Sequence, residues 1–136
     1  MSLSEVCKVI RFNLSGDERG KLIAIEGNQT IPFDIKRIFY IYGTSNDGVR
    51  GQHANKESEF ILINVSGKSK VRLTDGENSY VVELNEPSKG VYIPKMIWKE
   101  MFDFSNDSVL LVLASTHYNA NEYIKDFDEY LKIIRR

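Results

Sequence analysis

Cysteine, histidine and proline are scarce in this sequence: Cys7 is the single thiol, His53 and His117 are the two imidazoles, and there are 3 prolines. One thiol cannot close an intramolecular disulfide, and one thiol with two imidazoles falls short of a four-ligand zinc site of the Cys/His kind. A disulfide-stapled scaffold and a zinc ribbon are therefore excluded. No proline-rich linker, low-complexity tract or internal repeat divides the chain. No apolar run approaches the roughly 20 residues that span a bilayer. The opening MSLSEVCKVIRFN places Glu5, Lys8 and Arg11 among its apolar residues, so it lacks the uncharged centre of a secretory signal. Neither sign of charge dominates: 18 Lys and Arg against 19 Asp and Glu leave a formal net charge of -1, too little to draw in nucleic acid or an anionic membrane by a global field. These absences predict a reduced, cytoplasmic setting with no nucleic acid and no membrane as partner.

What is present is ordinary globular composition, 42% hydrophobic and 27% charged over 136 residues, which suits one core and one domain spanning residues 1–136. From Val6 to Ser115, short apolar runs alternate with turn residues every eight to twelve positions, the spacing of an all-β sandwich or barrel. KVRLT at 70–74 alternates strictly, with Val71 and Leu73 on one face and Lys70, Arg72 and Thr74 on the other. FILINV at 60–65 and VLLVLA at 109–114 are continuous and suit central strands. Asn46-Asp47-Gly48, Ser66-Gly67-Lys68 and Asp75-Gly76 supply turns between them. Near the C-terminus, Ile124, Phe127, Leu131 and Ile134 recur at helical spacing with Asn119 or Asn121 ahead of them, which predicts one amphipathic helix over roughly 121–134.

Chemistry concentrates in Arg50-Gly51-Gln52-His53-Ala54-Asn55-Lys56-Glu57-Ser58-Glu59. Residues two apart on a strand share a face, so His53 and Asn55 point the same way, into the cavity of a small barrel. Glu59 follows where a metal-binding cupin places its carboxylate. Such a cupin needs a second histidine at 55 and a third in the later segment 90–99, where only Trp98 and Lys99 stand. An amide ligates transition ions poorly and an ammonium repels them, so no metal and no cofactor is expected. A metal-dependent cupin oxygenase is the reading that elemental analysis would revive.

Several stretches in the right order resemble one family, the metal-free, WxcM-like cupins that act as dTDP-4-keto-6-deoxy-D-glucose 3,4-ketoisomerases in deoxysugar biosynthesis. They are Arg19-Gly20-Lys21-Leu22, Ile35-Lys36-Arg37-Ile38-Phe39-Tyr40-Ile41, Arg50-Gly51-Gln52-His53-Ala54, Gly90-Val91-Tyr92-Ile93, Ile97-Trp98 and Asp103-Phe104-Ser105 with Val112-Leu113-Ala114-Ser115. The resemblance implies a jelly-roll barrel of antiparallel strands over roughly 6–115. It also implies a dTDP-linked 4-keto-6-deoxy sugar as substrate, no cofactor, and a homodimer that exchanges N-terminal strands over residues 5–13. The product is a dTDP-3-keto-6-deoxyhexose destined for a 3-amino-3,6-dideoxyhexose of a lipopolysaccharide or other surface glycan. Arg19 looks more like the branch that yields the galactose configuration.

The resemblance also implies roles. His53 matches the base that removes the C3 proton. Asn55 stands where the family usually has a second proton-moving histidine, and an amide can bind an oxygen but cannot itself exchange a proton near neutral pH. Tyr40 is the candidate for that missing relay, although Ile38 and Tyr42 share its strand face and a plain packing role fits it equally. Arg19 and Arg50, with Gly51 allowing close approach, are candidates for the pyrophosphate. Arg37, Lys56 and Lys99 are further cationic candidates with ordinary surface alternatives, and Trp98 is a candidate wall for sugar or thymine or else a core tryptophan. His117 reads as a solvated loop residue. Because Asn55 removes one proton carrier, a cupin that binds a nucleotide sugar without turnover is the competing function.

Overall fold

The computed structural model describes residues 1–45 and 47–135; Asn46, the first residue of the turn expected at 46–48, and Arg136 lie outside the described residues. In chain order the elements are α1 (Leu3–Val6), β1 (Val9–Arg11), β2 (Ser15–Asp17), β3 (Gly20–Leu22), β4 (Arg37–Tyr42), β5 (Arg50–Asn55), β6 (Phe60–Ser66) and β7 (Ser69–Thr74). They continue with β8 (Ser79–Leu84), β9 (Lys89–Ile93), β10 (Trp98–Phe102), β11 (Val109–Ala114), a 3-10 turn (Ala120–Glu122), β12 (Tyr123–Ile124) and α2 (Phe127–Ile134).

One sheet of five strands runs β1-β9-β6-β11-β4, a second of five runs β12-β5-β10-β7-β8, and β2-β3 is a separate hairpin. Each strand pairing is antiparallel. The expected all-β cupin barrel with one C-terminal helix is thus the observed fold. Its main core fills the space between the sheets, where the inward positions of alternating strands, such as Val71 and Leu73 of β7, are fully buried.

The continuous run of β6 has a different cause. Phe60 and Leu62 face the main core, while Ile61 and Ile63 face outward and are covered by Phe12, Ile31 and Phe33 from the segments before and after the hairpin. A strand buried on both faces has no polar side to show in its sequence.

The C-terminus differs from its expected form. The helix begins at Phe127 and is capped by Asp126, whose carboxylate accepts from the backbone N–H groups of Asp128 and Glu129. Asn119 caps only the 3-10 turn, and Ile124 belongs to β12, paired with Ala54 at the edge of β5. Open backbone groups on β5 take up residues 123–124 as a strand, so helical spacing from Ile124 onward overstates the helix. The short helix α1 is also unanticipated; its Leu3 and the following Cys7 are buried in the main core. Residues expected to cross to a second subunit pair within their own chain here: Val9, Ile10 and Arg11 lie opposite Val91, Gly90 and Lys89.

Candidate active site

A break in the alternation of β5 builds the site. Gly51 (φ 86°) and Gln52 (φ 53°) both adopt left-handed backbone, and the β5–β10 register shifts between Lys99 and Glu100. This is a β-bulge, which re-aims the side chains that follow it. A Cβ on Gly51 would come within 3.0 Å of Met101 Cε and 3.1 Å of the Lys99 carbonyl oxygen, so glycine is required by space as well as by φ. Past the bulge, His53 points between the sheets and lies directly across from Lys99 of β10.

These two residues share a cavity of about 130 Å³ with Phe39, Arg50, Gly51 and Tyr123, floored by aliphatic and aromatic core side chains. Typical small-molecule pockets measure roughly 300–1,000 Å³, so this cavity is a small one.

His53 Nδ1 lies 2.9 Å from the Gly51 carbonyl oxygen. A carbonyl only accepts, so Nδ1 carries the proton and Nε2 keeps its lone pair. The ring tilts against Tyr123 with centroids 4.8 Å apart. Burial, and next the Lys99 ammonium, lower the imidazole pKa to about 4. At neutral pH His53 is therefore an uncharged base.

Lys99 is 3% exposed. Its Nζ donates to Asn55 Oδ1 at 3.0 Å and lies 4.7 Å from the Phe60 ring centroid. Burial lowers its pKa to about 7, against the opposing pull of the Glu122 carboxylate. Asn55 in turn donates from Nδ2 to Glu122 Oε2 at 2.9 Å. Glu122 also accepts from the Glu57 and Ser58 backbone N–H groups and from Ser58 Oγ. Burial pushes this carboxyl up, but the hydrogen bonds from Ser58, Glu57 and Asn55 outweigh it and hold the pKa below the ordinary value. The result is a fixed chain, Lys99–Asn55–Glu122, with its ammonium at the cavity wall.

Arg50 lines the mouth and is exposed. Arg37 reaches the cavity's lining residues Tyr123 and Phe39, with its two terminal nitrogens 3.5 Å from the Tyr123 hydroxyl and its guanidinium over the Phe39 and Tyr118 rings. Arg37 Nε is buried without a hydrogen-bond partner.

The structure thus brings together His53, Asn55, Lys99, Gly51, Arg50 and Arg37, and leaves four expected residues out. Tyr40 lies on the outer face of β4 and is 61% exposed, because Phe39 and Ile41 take the inward positions of that strand. Trp98 is buried under α2 against Phe127 and Tyr130, one position off the cavity face that Lys99 occupies. Lys56 is exposed beyond the end of β5. Arg19 projects from the β2–β3 hairpin and pairs with Asp17 at 2.7 Å. Glu59, expected at a metal ligand's place, instead accepts from the Tyr92 hydroxyl at 2.5 Å. Among the described residues, no group of three His, Cys, Asp or Glu side chains lies close enough to share an ion.

The family described as "FdtA: WxcM-like, C-terminal" matches residues 5–135. The chain belongs to that family. The FdtA-like chain is 43% identical over 129 residues to the TDP-4-oxo-6-deoxy-alpha-D-glucose-3,4-oxoisomerase of Aneurinibacillus thermoaerophilus, covering 95% of this chain and 93% of that protein. A crystal structure of a 3,4-ketoisomerase from Helicobacter canadensis superposes with a TM-score of 0.93 at 48% identity, covering 96% of this chain and 98% of the other. A histidine-to-asparagine variant of the 3,4-ketoisomerase QdtA from Thermoanaerobacterium thermosaccharolyticum, solved with TDP-4-keto-6-deoxyglucose, gives 0.93 at 41% identity, with 96% and 94% coverage. As a member of this family the FdtA-like chain is an isomerase. Its Glu122 and Tyr123, which complete the site, carry no sequence signal: both meet β5 only through tertiary pairing.

Proposed function

We propose that this protein is a sugar-nucleotide 3,4-ketoisomerase that converts dTDP-4-keto-6-deoxy-D-glucose to the dTDP-3-keto-6-deoxyhexose of galactose configuration. The observation that carries the proposal is His53 lining the cavity with Nδ1 held by the Gly51 carbonyl, which leaves Nε2 free to accept a proton. The C4 ketone acidifies the C3–H bond. His53 takes that proton, the C–H electron pair becomes the C3=C4 bond, and the carbonyl pair moves onto O4. The resulting enediolate sits beside the Lys99 ammonium, and an aimed donor of this kind is worth about 3 kcal/mol in the transition state. Arg50 at the mouth and Arg37 behind Tyr123 suit the pyrophosphate, since a planar guanidinium matches phosphate oxygens. Arg37 has the further feature of an unused buried N–H.

The test is an NMR time course with the 4-keto nucleotide in deuterated water, comparing the native protein with H53N. A ketoisomerase forms the 3-keto sugar and H53N does not. A protein that binds the nucleotide sugar saturably and returns it unlabelled is the non-catalytic cupin, a reading favoured by the amide at Asn55.

The working unit we propose is a homodimer. Ile38, Tyr40 and Tyr42 expose apolar surface in a row along β4 (59%, 61% and 70%), and β4 is an uncovered edge of its sheet, the kind of surface that association removes from water.

A further inference from the structure

A 3,4-ketoisomerisation needs two transfers at carbon, one off C3 and one onto C4. His53 serves the first, and Asn55 can serve neither, because an amide does not titrate near neutral pH. His117 is exposed and does not line the cavity, and the Tyr123 hydroxyl is turned to Arg37. Lys99 is placed differently. It lies directly opposite His53 across β5 and β10, a register in which same-face Cβ atoms stand about 4.5–5.5 Å apart. Its ammonium is buried rather than trailing into solvent. One of its three N–H groups is taken by Asn55 Oδ1, which leaves two for the cavity. Asn55 cannot turn its NH₂ group toward Lys99 without losing its bond to Glu122, so the amide holds the ammonium in one direction.

Resting on the ketoisomerase reading, we propose that Lys99 is the acid that delivers the proton to C4, from the same side of the sugar as His53 removes the proton from C3, with Asn55 and Glu122 as its positioning residues. The atoms balance as follows. His53 accepts the C3 proton as the enediolate forms. The O3 proton passes to O4. The O3 pair then closes the C3 carbonyl, the C3=C4 pair takes a proton from the Lys99 ammonium, and C4–H is made. Lys99 ends neutral and His53 ends protonated, and solvent at the cavity mouth restores both. Lys99 suits this because burial brings its pKa to about 7, so both forms are populated near neutrality. Of the other titratable groups around it, Cys7, just after α1, stays an uncharged thiol with its pKa raised by burial to about 12, and Glu122 supplies a nearby negative charge.

Same-side transfer has a stereochemical consequence. In the D-gluco sugar the hydrogens at C3 and C4 lie on opposite faces. A proton taken from one face at C3 and given to that same face at C4 leaves the galactose configuration.

Native protein, K99R, K99M and H53N are incubated with the 4-keto nucleotide in deuterated water and followed by NMR, with circular dichroism to verify folding. Arginine keeps the charge and donors but does not release a proton in this range. The expected result for K99R is continued exchange of deuterium into C3 of recovered substrate while product formation drops about a hundredfold or more, whereas K99M, which also removes the charge beside the enediolate, loses exchange and product together. Native protein gives galactose-configured product labelled at C4, and H53N gives neither exchange nor product. The proposal fails if K99R forms product within a few-fold of the native rate, if exchange and product formation fall together in folded K99R, or if the native product has the glucose configuration. Native protein that neither exchanges nor isomerises defeats the ketoisomerase reading itself, whereas normal native turnover with an unaffected K99R defeats only the role of Lys99.

Discussion

At the scale of single residues, the site places two buried basic groups side by side. Burial disfavours charge on both His53 and Lys99, and each cation disfavours the other. His53 is therefore neutral well below neutrality, and its folded pKa of about 4 lies under its ordinary 6.5. Between these values the unfolded chain binds more protons than the folded one, so this imidazole makes stability rise with pH from about 4 to about 6.5 and contributes no further slope above that. Urea titrations of native protein and H53N at pH 4.5 and 7 check this: the loss of stability at the lower pH is expected to be smaller in H53N. Removing the Lys99 charge relieves His53, so in K99M the His53 ring protons are expected to titrate at higher pH than in native protein. With two histidines in the chain, proton NMR resolves this directly. An unchanged titration would mean that the two side chains do not share the cavity. With His53 as the proposed base, neutral above about 4, and Lys99 as the proposed acid, protonated below about 7, a bell-shaped kcat/KM between those limits is expected.

At the scale of elements, the bulge in β5 does the positioning, and helix α2 holds the β5–β10 layer from outside. Gly51→Ala meets both a left-handed φ and contacts of 3.0–3.1 Å with Met101 and the Lys99 backbone. A loss of about 1–3 kcal/mol in denaturant unfolding is expected, with activity falling further than stability because His53 and Lys99 lose their common face. Tyr130 is fully buried on the inner face of α2 and its hydroxyl donates to the carbonyls of Met96 (2.8 Å) and Thr74 (3.2 Å). Tyr130→Phe leaves those acceptors short of a partner and is expected to cost about 1–2 kcal/mol while kcat stays within a few-fold of native, since the ring is outside the cavity. Much at this scale was legible in advance. The alternation of KVRLT gives β7 its inward Val71 and Leu73, and RIFYIY already groups Tyr40 with Ile38 and Tyr42 on one face, which is the outer one. The start of α2 was not, because residues 123–124 are drawn into β12 by open backbone groups of β5 that are distant in sequence.

At the scale of the whole molecule, apolar surface remains on the β4 edge and around the exposed Leu14 before β2 and Leu22 at the end of β3. Among the described residues no helix is long and apolar enough to cross a membrane. Light scattering at micromolar concentration is expected to give twice the monomer mass, and Tyr42→Glu on the 70% exposed position is expected to shift the population toward monomer. A monomeric native protein would remove the dimer from the account.

The division between what the chain alone fixes and what folding adds follows range. Hydrophobic period, turn glycines and the Arg50–Asn55 motif are local, so the sequence by itself determined an all-β cupin barrel and the family to which the chain belongs, and singled out His53 as the candidate base. Which cations join that base is not local. Arg19, Lys56 and Lys99 have the same formal charge, and only the bulge at Gly51, the pairing of β5 with β10 and the approach of Glu122 decided that Lys99 is buried opposite His53. Burial and neighbouring charge set what a lysine can do, and both exist only once distant strands have met.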